Sequence, residues 1–220
     1  MINKLTKPVL LSLTLFTCVL SFVFISKYEN TAEVNAMPDS LADVALHNPK
    51  VVSWSNLIDH KYLPVTSDRI ENHWTFVFFG YTNCPDICPA TLSQLSIFNK
   101  RLKRNPELND KVQFFFVSVD PARDKVKNLA EFISYFDSSF TAITGSESAI
   151  KLIEEQFDTY HQFEKESAPG EYAVTHSAYI YLLNPSGQLA AKFSPPINLV
   201  KVTTQLAAFV ELFAKGKNLT

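Results

Sequence analysis

Trp74-Thr75-Phe76-Val77-Phe78-Phe79-Gly80 runs without a break into Tyr81-Thr82-Asn83-Cys84-Pro85-Asp86-Ile87-Cys88-Pro89. The first seven residues are a short run of aromatic and β-branched side chains, the pattern of a strand buried on both faces. Strands of that kind sit inside α/β layers, and in open α/β sheets chemistry gathers at the carboxyl ends of the strands. The segment that follows Gly80 places two cysteines at that spot.

Working outward, Pro89 suits the first helical position, where a missing N–H costs nothing, and it disfavours helical geometry at Cys88. A helix is therefore predicted to start at Pro89, with Leu92, Leu95, Phe98 and Leu102 on one stripe. Val112–Val119 reads as a second buried strand, followed by a helix carrying Val126, Leu129, Ile133 and Phe136. Phe140–Thr144 is a short strand, and Ser146 caps a helix carrying Ile150, Ile153, Phe157 and Tyr160. Ala178–Leu183 and Gln188–Phe193 flank the turn sequence Asn184-Pro185-Ser186-Gly187 and predict a hairpin. Leu199, Val202, Leu206, Phe209 and Phe213 mark a closing helix. Strands alternating with helices require right-handed crossovers and a mainly parallel sheet. The order predicts an α/β domain of thioredoxin-like arrangement.

Cys84 and Cys88 are separated by three residues, one more than in thioredoxin-type disulfide exchange motifs. A helix N-terminus stabilises thiolates, so both sulfurs are poised for redox chemistry or for metal. The wider loop can close into a disulfide, structural or redox-active, and it also leaves room for an ion between the sulfurs. Two thiolates favour a soft ion, Cu(I) above all, with Zn(II) as competitor, and a third ligand is then expected from elsewhere. Of His47, His60, His73, His161 and His176, the last stands directly before a buried strand that can neighbour the first. Asp120, in SVDPARD, is a candidate ligand, although Asp-Pro at a strand end is more often a cap or turn.

The chain has 220 residues, 46% hydrophobic, with 18 Phe, 8 Tyr and 3 Cys. That supplies one sizeable core and excludes both low-complexity disorder and a disulfide-stapled mini-protein. The net charge is −2, and no Lys/Arg cluster matches a phosphate backbone, so nucleic acid is not an expected partner. Pro8–Ile25 holds no charged residue, and as a helix it would cover about 27 Å, close to a bilayer core. Lys4 and Lys7 precede it and predict a cytoplasmic N-terminus with an exported remainder. A cleaved signal, or a lipoprotein signal using Cys18, are the competing readings; Cys18 is otherwise a small apolar residue of the span. The predicted organisation is an N-terminal transmembrane anchor helix in residues 1–26, a polar tether in 27–50 and the folded domain in 51–216. The absence of an Arg-rich transit peptide fits a bacterial inner membrane with the domain in the periplasm.

FVFFGYTNCPDICPATLSQL, VQFFFVSVDPARD, FTAITGSESAI and VTHSAYIYLLNPSGQL, in that order, resemble the Sco/SenC family. The resemblance covers about Val51 to Phe213 and implies a membrane-anchored, thioredoxin-fold copper protein. Members help to assemble the dinuclear copper centre of cytochrome c oxidase, so a copper-receiving oxidase subunit is the implied partner. Carried over residue by residue, the copper ligands fall on Cys84, Cys88 and His176. The acidic residue of the VSVDP motif falls on Asp120, which supports the site or partner docking, and Asp86 lies within the ligand loop, where it can influence copper transfer. Many relatives carry an acidic residue just before the histidine, where this chain has Thr175. The resulting expectation is a copper metallochaperone, a role that needs no covalent turnover. The alternative is a membrane-anchored thiol-disulfide oxidoreductase that uses Cys84 and Cys88 alone to reduce the client's copper-ligand cysteines. A thiol peroxidase is weaker, because a paired CPDIC loop is unlike a dedicated single-cysteine peroxide pocket.

Overall fold

The computed structural model describes residues 16–25 and 37–216, which fall into two compact units, Met1–Asp39 and Ser40–Thr220. Within the first unit, residues 16–25 are helical. They are the described part of the expected span; residues 8–15 lie outside the described residues. Among the described residues no helix is long and apolar enough to cross a membrane.

The second unit is built on a six-stranded sheet in the order β1-β4-β3-β2-β7-β8. In chain order its elements are β1 (Leu57–Asp59), β2 (Trp74–Gly80), α1 (Ile87–Leu102), β3 (Val112–Ser118), α2 (Val126–Phe136), β4 (Thr141–Gly145), α3 (Glu147–Phe157), β5 (His161–Phe163), β6 (Val174–His176), β7 (Ile180–Leu183), β8 (Leu189–Phe193) and α4 (Leu199–Ala214). β2 pairs parallel with β3 in full register, from Trp74 opposite Val112 to Gly80 opposite Ser118, and β3 pairs parallel with β4. β7 runs antiparallel to both β2 and β8, and β1 antiparallel to β4. The α/β layers, the parallel centre and the hairpin are as expected, but the sheet is not mainly parallel: three of its five pairings are antiparallel, because β1 closes the edge opposite the hairpin by running antiparallel to β4.

The alternation of side chains along β2 and β3 separates two aromatic layers. On one face Phe76 meets Phe98 of α1 at 5.4 Å and Phe114 at 5.3 Å, Phe116 meets Phe132 of α2, and Trp74 meets Phe209 and Phe213 of α4. On the other, Phe79 packs on Phe157 of α3 and on Tyr181, while Trp54 lies edge-on to Phe115 and Phe157. Every residue of β2 is buried, as its composition requires. Each fully buried phenylalanine contributes about 1.5–3 kcal/mol of burial free energy.

Local chemistry sets most boundaries. Ser146 caps α3 by accepting from Ala149 N, and Asn198 caps α4 by accepting from Val200 N and Lys201 N. In the β7–β8 turn, Asn184 Oδ1 accepts from Ser186 N and Gln188 N, and Gly187 takes φ +71°. Two helix ends differ from expectation. α3 stops at Phe157 because Asp158 turns left-handed at φ 47°, so Tyr160 lies beyond it. α1 begins at Ile87, not Pro89; its first helical bond runs from Ala90 N to Asp86 O. Pro89 is tolerated because the first four N–H groups of a helix have no intrahelical partner.

The folded unit also starts earlier than Val51. Leu41 and Val44 are buried, and Leu46 N donates to Ala190 O while Lys192 N donates to Val44 O. Val52 N bonds to Gly187 O and Leu189 N to Lys50 O. Residues 44–52, which include the end of the stretch read as tether, thus run along β8 and satisfy backbone groups that an open edge would leave unpaired.

Candidate metal centre

The cysteine loop leaves the carboxyl end of β2 and enters α1, which puts Cys84 before the helix and Cys88 in its first turn. Cys88 N donates to Cys84 Sγ at 3.4 Å, so the two sulfurs are held beside one helix N-terminus. Cys88 is fully buried and Cys84 is 9% exposed; both are free thiols. His176 ends β6, in the two-stranded β5–β6 ribbon, and its Nε2 lies 3.3 Å from Cys88 Sγ. Its Nδ1 is 3.1 Å from Ser177 O. A carbonyl only accepts, so Nδ1 carries the proton and Nε2 presents a lone pair to the sulfurs. The ring is seated edge-on to Tyr81 and Phe78, at 5.9 and 6.2 Å between centroids.

Cys84 Sγ, Cys88 Sγ and a ring nitrogen of His176 therefore converge within 4.8 Å of one another. Two sulfurs and an imidazole suit a soft, low-coordinate ion, Cu(I) before Zn(II). Among the described residues this is the metal-competent cluster of His, Cys, Asp and Glu side chains, and neither Asp86 nor Asp120 joins it. Asp86 is exposed at the N-cap position of α1 with no side-chain capping bond. His60 Nδ1 accepts from Ala142 N, His73 lies against Glu71 O, His161 is paired with Glu154, and His47 is exposed.

The thiols are unequal. A hydrogen bond from Cys88 to its sulfur lowers the Cys84 pKa to about 4 against the opposing effect of burial. The same bond to Cys84, with burial, pushes the Cys88 thiol up. The reduced, metal-free pair thus holds one thiolate, on Cys84, and one shared proton. Because the Cys84 pKa is depressed, its thiolate persists as pH falls from neutrality and is lost only on passing about 4. A pH titration of ultraviolet thiolate absorbance, with Cys84→Ser as reference, should find this midpoint; a midpoint near that of free cysteine would contradict the assignment.

Gly80 explains why the strand ends as it does. A Cβ there would lie 2.8 Å from Cys88 Sγ and 2.8 Å from Phe116 Cε2. Gly80→Ala is expected to cost about 1–3 kcal/mol, since the closely packed sulfur and ring must both move. Thermal unfolding and copper affinity should fall together in this variant; an unchanged Tm would show that the strand end yields freely.

Several residues that position the site escaped sequence reasoning. Asp124 accepts from Thr82 N, Thr82 Oγ1 and Ser118 Oγ, tying the cysteine loop to the end of β3. Burial, foremost, raises its pKa despite these donors. Asp120 is buried and accepts from Arg123 Nε at 2.5 Å and from the Tyr172 hydroxyl at 2.9 Å. Arg123 Nη1 donates to Tyr172 O, and its guanidinium lies over the Tyr172 ring at 3.6 Å. Tyr81 Oη accepts from Val174 N. These bonds join β2, β3 and the strand that carries His176. The second acid of DPARD was the available signal for Asp124; nothing local distinguished Arg123 or Tyr172. Thr175 donates to Glu164 Oε1, one residue past the end of the facing strand β5.

The SCO1/SenC family model matches residues 45–211, which spans the sheet, both cysteines and His176. The chain belongs to the SCO1/SenC family. A mitochondrial SCO2 homolog of Danio rerio is 35% identical over 166 residues, covering 72% of this chain and 58% of that protein. The mitochondrial SCO2 of Saccharomyces cerevisiae is 28% identical over 198 residues, covering 86% and 64%. The chain thus spans roughly three fifths of the length of these curated SCO relatives. Among solved SCO structures, Arabidopsis thaliana ScoI with copper bound is 28% identical with a TM-score of 0.65, covering 74% of this chain and 97% of that one. Yeast Sco1 with copper bound is 27% identical at a TM-score of 0.65, covering 76% and 89%. The thioredoxin-like α/β fold of this SCO1/SenC chain is theirs.

Proposed function

We propose that this SCO1/SenC protein is a copper metallochaperone that carries Cu(I) on Cys84, Cys88 and His176 and delivers it to the dinuclear copper centre of cytochrome c oxidase. The observation that carries the reading is the approach of His176 Nε2 to Cys88 Sγ at 3.3 Å, across 88 residues of chain. Copper in the structures of relatives from Arabidopsis and yeast supports it. The donor set can grip and release: the Cys84 thiolate is ready at neutral pH, Cys88 must give up a proton as the ion enters, and the imidazole lone pair needs none. Cys84 and the exposed Pro85, Asp86 and Ile87 lie where a receiving subunit can reach the ion and take it by ligand exchange. Asp120 then acts by fixing β6 and Asp86 by meeting the partner. The apolar stretch 8–25 supports a single-pass anchor in the inner membrane, with the domain in the periplasm.

Copper titration of the reduced protein, with metal analysis and X-ray absorption, tests this. One copper per chain in a shell of two sulfurs and one nitrogen is expected; a sulfur-only shell in the wild type would overturn it.

One observation favours a second reading. A low-pKa, slightly exposed Cys84 beside a buried, proton-bearing Cys88 is the asymmetry of an attacking and a resolving thiol, as in a membrane-anchored thiol-disulfide oxidoreductase. That chemistry needs no imidazole ligand. Full rescue of oxidase assembly by His176→Ala would select it over copper delivery.

A further inference from the structure

We propose that Glu154 is a positioning residue for the metal centre: acting through His161, it fastens the β5–β6 ribbon to α3 and so sets the His176 imidazole against Cys88. The proposal rests on reading Cys84, Cys88 and His176 as the copper site.

Glu154 is out of place by composition. It sits in the buried stripe of α3 with Ala149, Ile150, Ile153 and Phe157, and is 4% exposed. A carboxylate in such a position costs stability unless it is hydrogen-bonded. Its partner is His161, whose Nδ1 lies 2.8 Å from both carboxylate oxygens. A carboxylate accepts, so Nδ1–H donates, and the ring is pinned from α3 and braced edge-on by Phe163 at 4.9 Å.

What this pinning does follows from register. In the β5–β6 ribbon His161 stands directly opposite His176, and Ser177 N donates to Tyr160 O at the same end. The ribbon is a separate two-stranded sheet, outside the backbone ladder of the six-stranded one. Its height is held from the β6 side, by Val174 N on Tyr81 Oη and by Tyr172 on Asp120. Those ties lie two and four residues before His176. At the ligand's own register, beyond the contacts of the His176 ring itself with Cys88, Tyr81 and Phe78, the side-chain tie to the body of the domain is His161 to Glu154. A metal ligand must be held to about half an ångström for its affinity to be realised, and partners that orient a metal-binding imidazole carry about 10–100-fold in affinity. Glu154 acts one strand away, so an effect at the lower end is expected.

The test uses the full-length reduced protein and competition for Cu(I) with the chromophoric chelator bicinchoninate. In Glu154→Leu/His161→Phe both partners become apolar at similar volume, an exchange that is close to neutral for stability. Cu(I) affinity is expected to fall about tenfold in this variant with Tm within a few degrees of wild type. In the metal-free protein the Nε2 nitrogen resonance of His176 should shift. Glu154→Gln still accepts from Nδ1–H and should keep affinity within about threefold of wild type, a rescue that packing alone would not produce. His161→Asn, which keeps a donor for Glu154 but shortens its reach, serves if the double variant does not fold, and it too should lose affinity. Wild-type affinity with an unmoved His176 resonance in the folded double variant, or in His161→Asn, overturns the proposal, as does a loss in Glu154→Gln equal to that of the double variant. His176→Ala is measured alongside. If it weakens binding and the double variant does not, only the positioning role fails; if it leaves affinity unchanged, the copper reading fails and takes this inference with it.

Discussion

Replacing His176 with alanine is expected to lower Cu(I) affinity about a hundredfold or more while the protein stays folded, since even groups that merely orient a ligating imidazole carry 10–100-fold. The ring supplies the nitrogen donor opposite two sulfurs, and its geometry is prepaid: Nδ1–H on Ser177 O fixes the tautomer, and Tyr81 and Phe78 fix the plane. An alanine leaves the ion two-coordinate between Cys84 and Cys88. The cost to stability is small because the ring is only half-buried and the Cys88 proton retains Cys84 as acceptor. A loss of about 1 kcal/mol corresponds to about 2–4 °C in Tm for a chain of this size. Chelator competition and thermal unfolding on the same preparation separate the two effects. Copper retained at wild-type affinity would remove His176 from the site.

Asp120→Ala is expected to have the opposite profile, a large loss of stability with a smaller effect on the metal. The Asp120 carboxylate is fully buried and accepts from Arg123 Nε and the Tyr172 hydroxyl. Removing it strands the largely buried Arg123 guanidinium, whose Nη2 already has no hydrogen-bond partner, with one carbonyl contact and the Tyr172 and Tyr81 rings. Breaking a buried pair from one side costs about 3–5 kcal/mol, which is about 6–20 °C in Tm at this size. Asp120→Asn keeps the shape and one acceptor and should recover about half of that. Copper affinity should fall less than in His176→Ala, because the Cys84–Cys88–His176 donors themselves remain. A Tm unchanged in Asp120→Ala would show that the Arg123 charge finds water, and that the link from β3 to Tyr172 does not hold the fold.

Much of the framework was legible because it depends on local periodicity. The largely apolar runs at 74–80 and 112–118, the stripes of α1, α2 and α4, and the Asn184–Gly187 turn each carry their signal within a dozen residues. The missed elements lack such a signal. β1, β5 and β6 are three residues each, too short for alternation to register, and they exist because a neighbour offers unpaired backbone groups. Residues 44–50 read as part of a polar tether and yet run along β8 for the same reason. Pro89 misplaced the start of α1 by two residues, since a proline anywhere in the first turn displaces no intrahelical bond.

The site divides in the same way. The sequence by itself determined that two thiols four residues apart would stand at the carboxyl end of a buried strand and the start of a helix, because spacing and strand chemistry are local properties. It also marked His176 as a third donor, through motif resemblance. Only the tertiary structure decided that the imidazole faces Cys88, that Cys84 holds the thiolate, that Asp120 ties down Tyr172 without joining the cluster, and that Glu154 reaches His161. Each of those depends on bringing side chains together across tens of residues, where register between strands and desolvation set distances and proton positions that no run of neighbouring residues encodes.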